Sequence, residues 1–202
     1  VYTDLRVVVD QLSRDLQQSV DDDRYNCFRG IASNEFHFVA TIDNNTGNEE
    51  AEVGYYYHAG SNVLLKSVQF SQKGFPLGSN ANWNIGDAQA GGASGATWHT
   101  TPATNNFAEY VIVLEGVRHF SVTYLNTNFL LAAGLYPANI YNPANTVWDF
   151  NGAAEDKHLP SYVITVIGLC DPQDVVRYRS AANVPPEMVR WFTNQVFLPK
   201  QQ

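Results

Sequence analysis

Leu5, Val8, Val9, Leu12 and Leu16 recur on a 3.6-residue period and draw one apolar stripe down a helix that opens the chain. Asp4, Arg6, Asp10, Arg14, Asp15 and Gln18 take the opposite face, and the pattern predicts a helix from about Thr3 to Val20. After Asp21-Asp22-Asp23 no second helical period follows, and the rest of the chain reads as strands and turns. A lone amphipathic helix must bury its stripe on whatever sheet those strands build. The expected fold is therefore α+β: a long N-terminal helix packed on antiparallel sheet, either two small sheets or one strongly curved one. The helix starts without a cap or an initiator Met, so the expectation is that an upstream portion has been removed.

Alternation of apolar and polar residues marks the strands. Phe36, Phe38, Ala40 and Ile42 share one face of a strand that ends in the turn cluster Asp43-Asn44-Asn45-Thr46-Gly47-Asn48. Val53, Tyr55 and Tyr57 follow, then a turn at Ala59-Gly60-Ser61-Asn62 and a returning strand over Val63 to Phe70, a three-strand meander. Strands resume at Tyr110 to Leu114 and Val117 to Tyr124, where Phe120, Val122 and Tyr124 oppose Ser121 and Thr123. Tyr162 to Leu169 is apolar on both faces and reads as a central strand. Val189 to Leu198, with Phe192, Val196 and Leu198 in register, closes the chain after Pro185-Pro186. Two long stretches, 71–106 and 126–156, are punctuated by Gly and Pro and read as loops within a single domain spanning residues 1–202.

Composition removes several functional classes. Hydrophobic residues make up 45% of the 202 residues and aromatics 13%, enough for a full core. Twelve Lys and Arg against 20 Asp and Glu give a net charge of -8 with no basic run. Binding to nucleic acid, or to an anionic membrane surface, needs the opposite sign. No apolar run approaches the roughly 20 residues that span a bilayer.

Catalytic and metal signatures are weak. Gly92-Ala93-Ser94-Gly95-Ala96 approximates a hydrolase elbow but lacks its final Gly and follows no strand. No phosphate loop or dinucleotide fingerprint occurs. The histidines His37, His58, His99, His119 and His158 form neither a helical i,i+4 pair nor a His-x-His strand pair. No catalytic, cofactor-binding or metal residue is therefore assigned, apart from Asp43, Asn45, Glu49, Glu50 and Glu52. These form an oxygen-rich loop that could hold Ca²⁺ or could be a solvated acidic turn. Cys27 and Cys170 are either joined by one disulfide in an oxidising compartment or remain two buried thiols. Trp83 and Trp98 stand alone in the first long loop, where they either anchor it or serve as stacking platforms.

Several local patterns share one order along the chain. The helix carries Leu5-Arg6 and Leu12-Ser13-Arg14-Asp15-Leu16, and Val117-Arg118-His119-Phe120-Ser121-Val122-Thr123-Tyr124 forms a strand. Trp148-Asp149 precedes Leu159-Pro160-Ser161-Tyr162-Val163-Ile164-Thr165-Val166, and Phe192-Thr193-Asn194-Gln195-Val196-Phe197-Leu198-Pro199 ends the sheet. Together they resemble the minor pseudopilins of type II secretion systems, the J type in particular, and the related minor pilins of type IV pili. The resemblance covers the helix and most strands but not 71–106 or 126–147. It implies a pilin-like, non-enzymatic subunit without cofactors, which assembles with other pilin-like subunits at the tip of a secretion pseudopilus or pilus. It further implies an inner-membrane anchor on the full-length protein before assembly, and a periplasmic or cell-surface location in a Gram-negative bacterium. The stripe Leu5, Val8, Val9, Leu12 and Leu16 would then be the sheet-packing half of the helix. The alternative expectation is an extracellular adhesin or glycan-binding β-rich module.

Overall fold

The computed structural model describes residues 2–21, 28–44, 47–70, 110–125 and 159–198. Helix α1 (Tyr2–Gln17) leads into β1 (Phe28–Ala32), β2 (Glu35–Asn44), β3 (Gly47–His58), β4 (Val63–Phe70) and β5 (Val111–Glu115). These five strands form one sheet in sequence order. The second sheet contains β6 (Val117–Leu125), β7 (Tyr162–Leu169) and β8 (Arg190–Phe197), with β7 in the middle. Among the described residues every strand pairing is antiparallel. Between β7 and β8 lie a short helix, α2 (Pro172–Tyr178), and two 3₁₀ turns, Ala181–Asn183 and Pro186–Met188.

The expected α+β fold with a long pilin-like helix is corrected by this architecture. Antiparallel strands in two sheets make up most of the described chain, and the N-terminal helix is short, at 16 residues. It stops before Val20 because the chain there joins a sheet. Gln18 and Ser19 close a tightened last turn, with Ser19 N donating to Leu16 O. Ser19 then bridges Ala40, Val20 N donates to Val39 O, and Thr41 N donates to Gln18 O. Those bonds occupy the stretch of β2 that lies beyond its pairing with β1, so residues 18–20 extend the edge in place of another helical turn.

The stripe itself is a core element. Leu5, Val8, Leu12 and Leu16 are buried in one cluster with Phe28, Phe36, Phe38 and Tyr55 of the first sheet. Phe120, Val122, Tyr124, Val163, Ile167 and Val196 bring the second sheet into the same cluster. Phe36 stacks on Phe38 and on Tyr55, while Tyr124 meets Phe28 edge-on with centroids 5.5 Å apart. One residue carries the chain from the first sheet to the second: Gly116, at φ +71°, sits between β5 and β6. A side chain there would be strained by that backbone conformation.

Candidate functional site

Around α1 the two sheets leave open surfaces, and a buried ionic lock holds the helix between them. Asp15 Oδ2 accepts a hydrogen bond from Tyr55 Oη at 2.6 Å and pairs with Lys66 Nζ at 2.5 Å. Tyr55 and Lys66 are direct cross-strand neighbours on β3 and β4, and the ammonium lies 5.8 Å from the Tyr55 ring centroid. Burial raises the Tyr55 phenol well above its ordinary value, and the Asp15 charge adds to this, so Tyr55 remains a neutral donor. The sequence reading placed Asp15 on the solvent face, but it is 6% exposed. It lies three residues after Leu12 and seven after Val8, which is the stripe's own spacing, and that signal could have placed it on the buried side.

Two grooves flank the helix. One, of about 530 Å³, runs between α1, β5 and α2 and is lined by Asp4, Ile112, Leu114, Pro172, Val175 and Val176. The other, of about 570 Å³, runs between α1 and β8 and is lined by Leu5, Arg6, Val9, Ile167, Phe192 and Asn194. Asn194 Nδ2 bridges the second groove's floor to Ser13 Oγ at 3.0 Å. Ile112 and Val176 are exposed in the lining of the first groove, Val7 and Val111 are exposed elsewhere on α1 and β5, and Trp191 and Phe197 are exposed on β8. Apolar side chains gathered in this way around clefts mark interaction surfaces more than catalytic ones.

On the opposite face of the first sheet lies a buried ionisable row. His37 is fully buried, with Nε2 2.9 Å from Glu35 Oε1 and Nδ1 3.6 Å from Glu52 Oε1. The next strand makes room for the ring: His37, Gly54 and Ser67 align across β2, β3 and β4. A Cβ at residue 54 would lie 2.6 Å from both His37 Nδ1 and Ser67 Oγ, so only glycine fits there. Burial alone would lower the imidazole pKa. The hydrogen bond to Glu35 and the charges of Glu35 and Glu52 outweigh it and hold the group above its ordinary 6.5. A raised folded-state pKa adds stability fully present below the unfolded value and lost as pH rises through the folded one. Urea unfolding midpoints should therefore fall as the pH rises above about 6.5, and His37→Gln should flatten that decline. An equally steep decline in His37→Gln would place its origin elsewhere.

The sequence-predicted residues distribute as follows. Leu5, Val8, Leu12 and Leu16 converge on the core, whereas Val9 is half-buried at the α1–β8 groove. The oxygen-rich loop is largely a hairpin. Asp43 is on β2, and Glu49, Glu50 and Glu52 are on β3, in register with Ile42, Thr41 and Val39, while Asn45 lies outside the described residues. Glu52 points inward to His37 and is removed from any solvent-facing set. Among the described residues no group of three His, Cys, Asp or Glu side chains converges on a metal position. Cys170 carries a buried thiol directed at Ala181 O, 3.8 Å away, and Cys27, the other half of the disulfide-or-thiols alternative, lies outside the described residues. Trp83, Ser94 and Trp98 also lie outside them. Among the described residues no helix is long and apolar enough to cross a membrane. Comparison with protein-family models, with curated proteins and with solved structures returns no match.

Proposed function

We propose that the protein is a non-enzymatic subunit of a multi-subunit filament, of the minor pseudopilin or minor pilin kind that its sequence resembles. The observation that carries this is the seat of α1. Its stripe is anchored in the core by Leu5, Val8, Leu12 and Leu16 and fixed by the Asp15–Lys66 pair, while open apolar grooves run along both flanks. A helix held this firmly moves with the sheets as one body, and the grooves offer neighbouring subunits a place to pack. On this reading the partners are other pilin-like subunits, the chain works outside the cytoplasm, and the full-length protein is held at the inner membrane before assembly. An acidic surface keeps such contacts specific rather than aggregating.

Purified protein mixed with head domains of co-encoded pilin-like subunits should form a complex detectable by analytical ultracentrifugation. Ile112→Asp or Val176→Asp, in the exposed groove rim, should weaken that complex at least tenfold without unfolding the protein. Absence of binding to every such subunit, with glycan binding that depends on Trp83 or Trp98, would overturn the assembly role in favour of a carbohydrate-binding module.

A further inference from the structure

Among the described residues four strands form sheet edges: β1 and β5 in the first sheet, β6 and β8 in the second. Unpaired backbone groups along an edge are a template for another chain unless the edge is bent, charged or covered. Three of the four pairings are interrupted. β1 loses register between Arg29 and Ala32, β4 against β5 between Leu64 and Leu65, and β6 between Val117 and His119. Such bulges turn an edge away from partners. By contrast, β8 pairs with β7 without a break from Arg190 to Phe197. It contains no Pro and no Lys, and its one charged residue, Arg190, stands at its first position.

The hydrogen-bonding parity of β8 follows from its end. Leu198 N donates to Ser161 O, and antiparallel pairs alternate between bonded and non-bonded. Arg190, Phe192, Asn194 and Val196 therefore exchange bonds with β7. Trp191, Thr193, Gln195 and Phe197 direct their N–H and C=O groups away from β7, to the open edge. The side chains of these same four residues are exposed. Trp191 and Phe197 are 53% and 55% exposed, although each leans on a ring of its own sheet, His119 and Tyr162.

We infer that β8 is a self-pairing edge: two copies of this chain join β8 to β8 in antiparallel fashion about a two-fold axis at Asn194, making one six-stranded sheet. In this register Trp191 lies opposite the partner's Phe197, and Thr193 opposite the partner's Gln195. Every one of those pairs joins two residues whose backbone groups already face outward, so parity and side-chain matching agree. A one-residue slip would oppose an outward-facing residue to one whose groups are committed to β7, and the bonds would fail. Aromatic pairs directly across a ladder are among the stronger cross-strand contacts. On the inner face the α1–β8 groove leaves space beside Phe192 and Asn194 next to the axis. An isologous pairing of this kind closes on itself and stops at the dimer. It does not depend on the filament role, since any protein carrying this edge would meet its own copy.

Sedimentation velocity over a micromolar concentration series should show a reversible monomer–dimer equilibrium. Thr193→Lys/Gln195→Lys places ammonium groups opposite each other across the axis on exposed positions, so it should abolish the dimer and leave the melting temperature unchanged. Asn194→Cys sits at a non-bonded pair, where Cα atoms approach to about 4.5 Å, and should give a disulfide-linked dimer under mild oxidation. A monomer at every concentration would overturn the inference, as would a dimer that survives the double lysine variant. A chain that is monomeric alone but binds a pilin-like subunit would overturn self-pairing and leave the filament role standing.

Discussion

Asp15→Ala is expected to destabilise the protein by about 3–5 kcal/mol, measured as a shift in urea unfolding midpoint at constant slope. The substitution leaves Lys66 Nζ without its carboxylate in a site where the lysine side chain is only 10% exposed. It also removes the acceptor of the Tyr55 hydroxyl. The loss comes from stranding the ammonium rather than from the worth of the pair, which can be neutral once desolvation is counted. Asp15→Ala combined with Lys66→Met should therefore recover most of the loss. If the double variant is as unstable as the single one, the helix is held by something other than this pair.

Leu12→Asp is expected to be more severe, at about 4–5 kcal/mol or beyond, enough to leave a domain of ordinary stability partly unfolded at room temperature. Leu12 has no exposed surface and lies within the cluster that joins α1 to both sheets. The cluster around Leu12 is apolar, and the nearby Lys66 is already paired with Asp15, so a carboxylate there must be buried uncompensated or expel the helix. Near-ultraviolet circular dichroism would separate the outcomes, since the Phe28, Phe36, Phe38 and Tyr55 rings report core packing. A folded variant with an unchanged melting temperature would mean that the stripe is not the helix's seat.

Period and alternation carried the strands well, because a half-buried strand shows its two faces in its residue types. The β2, β4, β6 and β7 segments were legible for that reason, and the double-sided apolarity of Tyr162–Leu169 placed it in the middle of its sheet. The β1 strand was not legible: its five residues, Phe-Arg-Gly-Ile-Ala, show no clean alternation. Nor was α2, which buries no residue and so carries no stripe; only Asp171 capping Gln173 N and Pro172 at its start mark it. Helix length was overestimated because Ser19 and Val20 fit a helical period equally well, and only the vacant edge of β2 decides against it. The buried polar residues were the hardest to read. Asp15, Glu35, His37 and Glu52 are polar types that normally face water; Asp15 is retained inside by Tyr55 and Lys66 of distant strands, and Glu35 and Glu52 by His37 between them. The regular β8 edge could not be singled out either, since regularity is a property of its ladder with β7 rather than of its composition.

The hydrogen bond from Asn194 to Ser13 joins positions 181 residues apart. Helix α1 is thus covered in part by β8, the described element farthest from it along the chain. Until β8 has been synthesised, the apolar stripe of α1 lacks part of its cover, and a nascent chain must carry that greasy surface while everything between the two elements is made. Contacts of such long sequence separation slow folding and lengthen the window in which a chaperone can bind. Growth of the polypeptide, and not only its sequence, therefore sets when this protein can close its core.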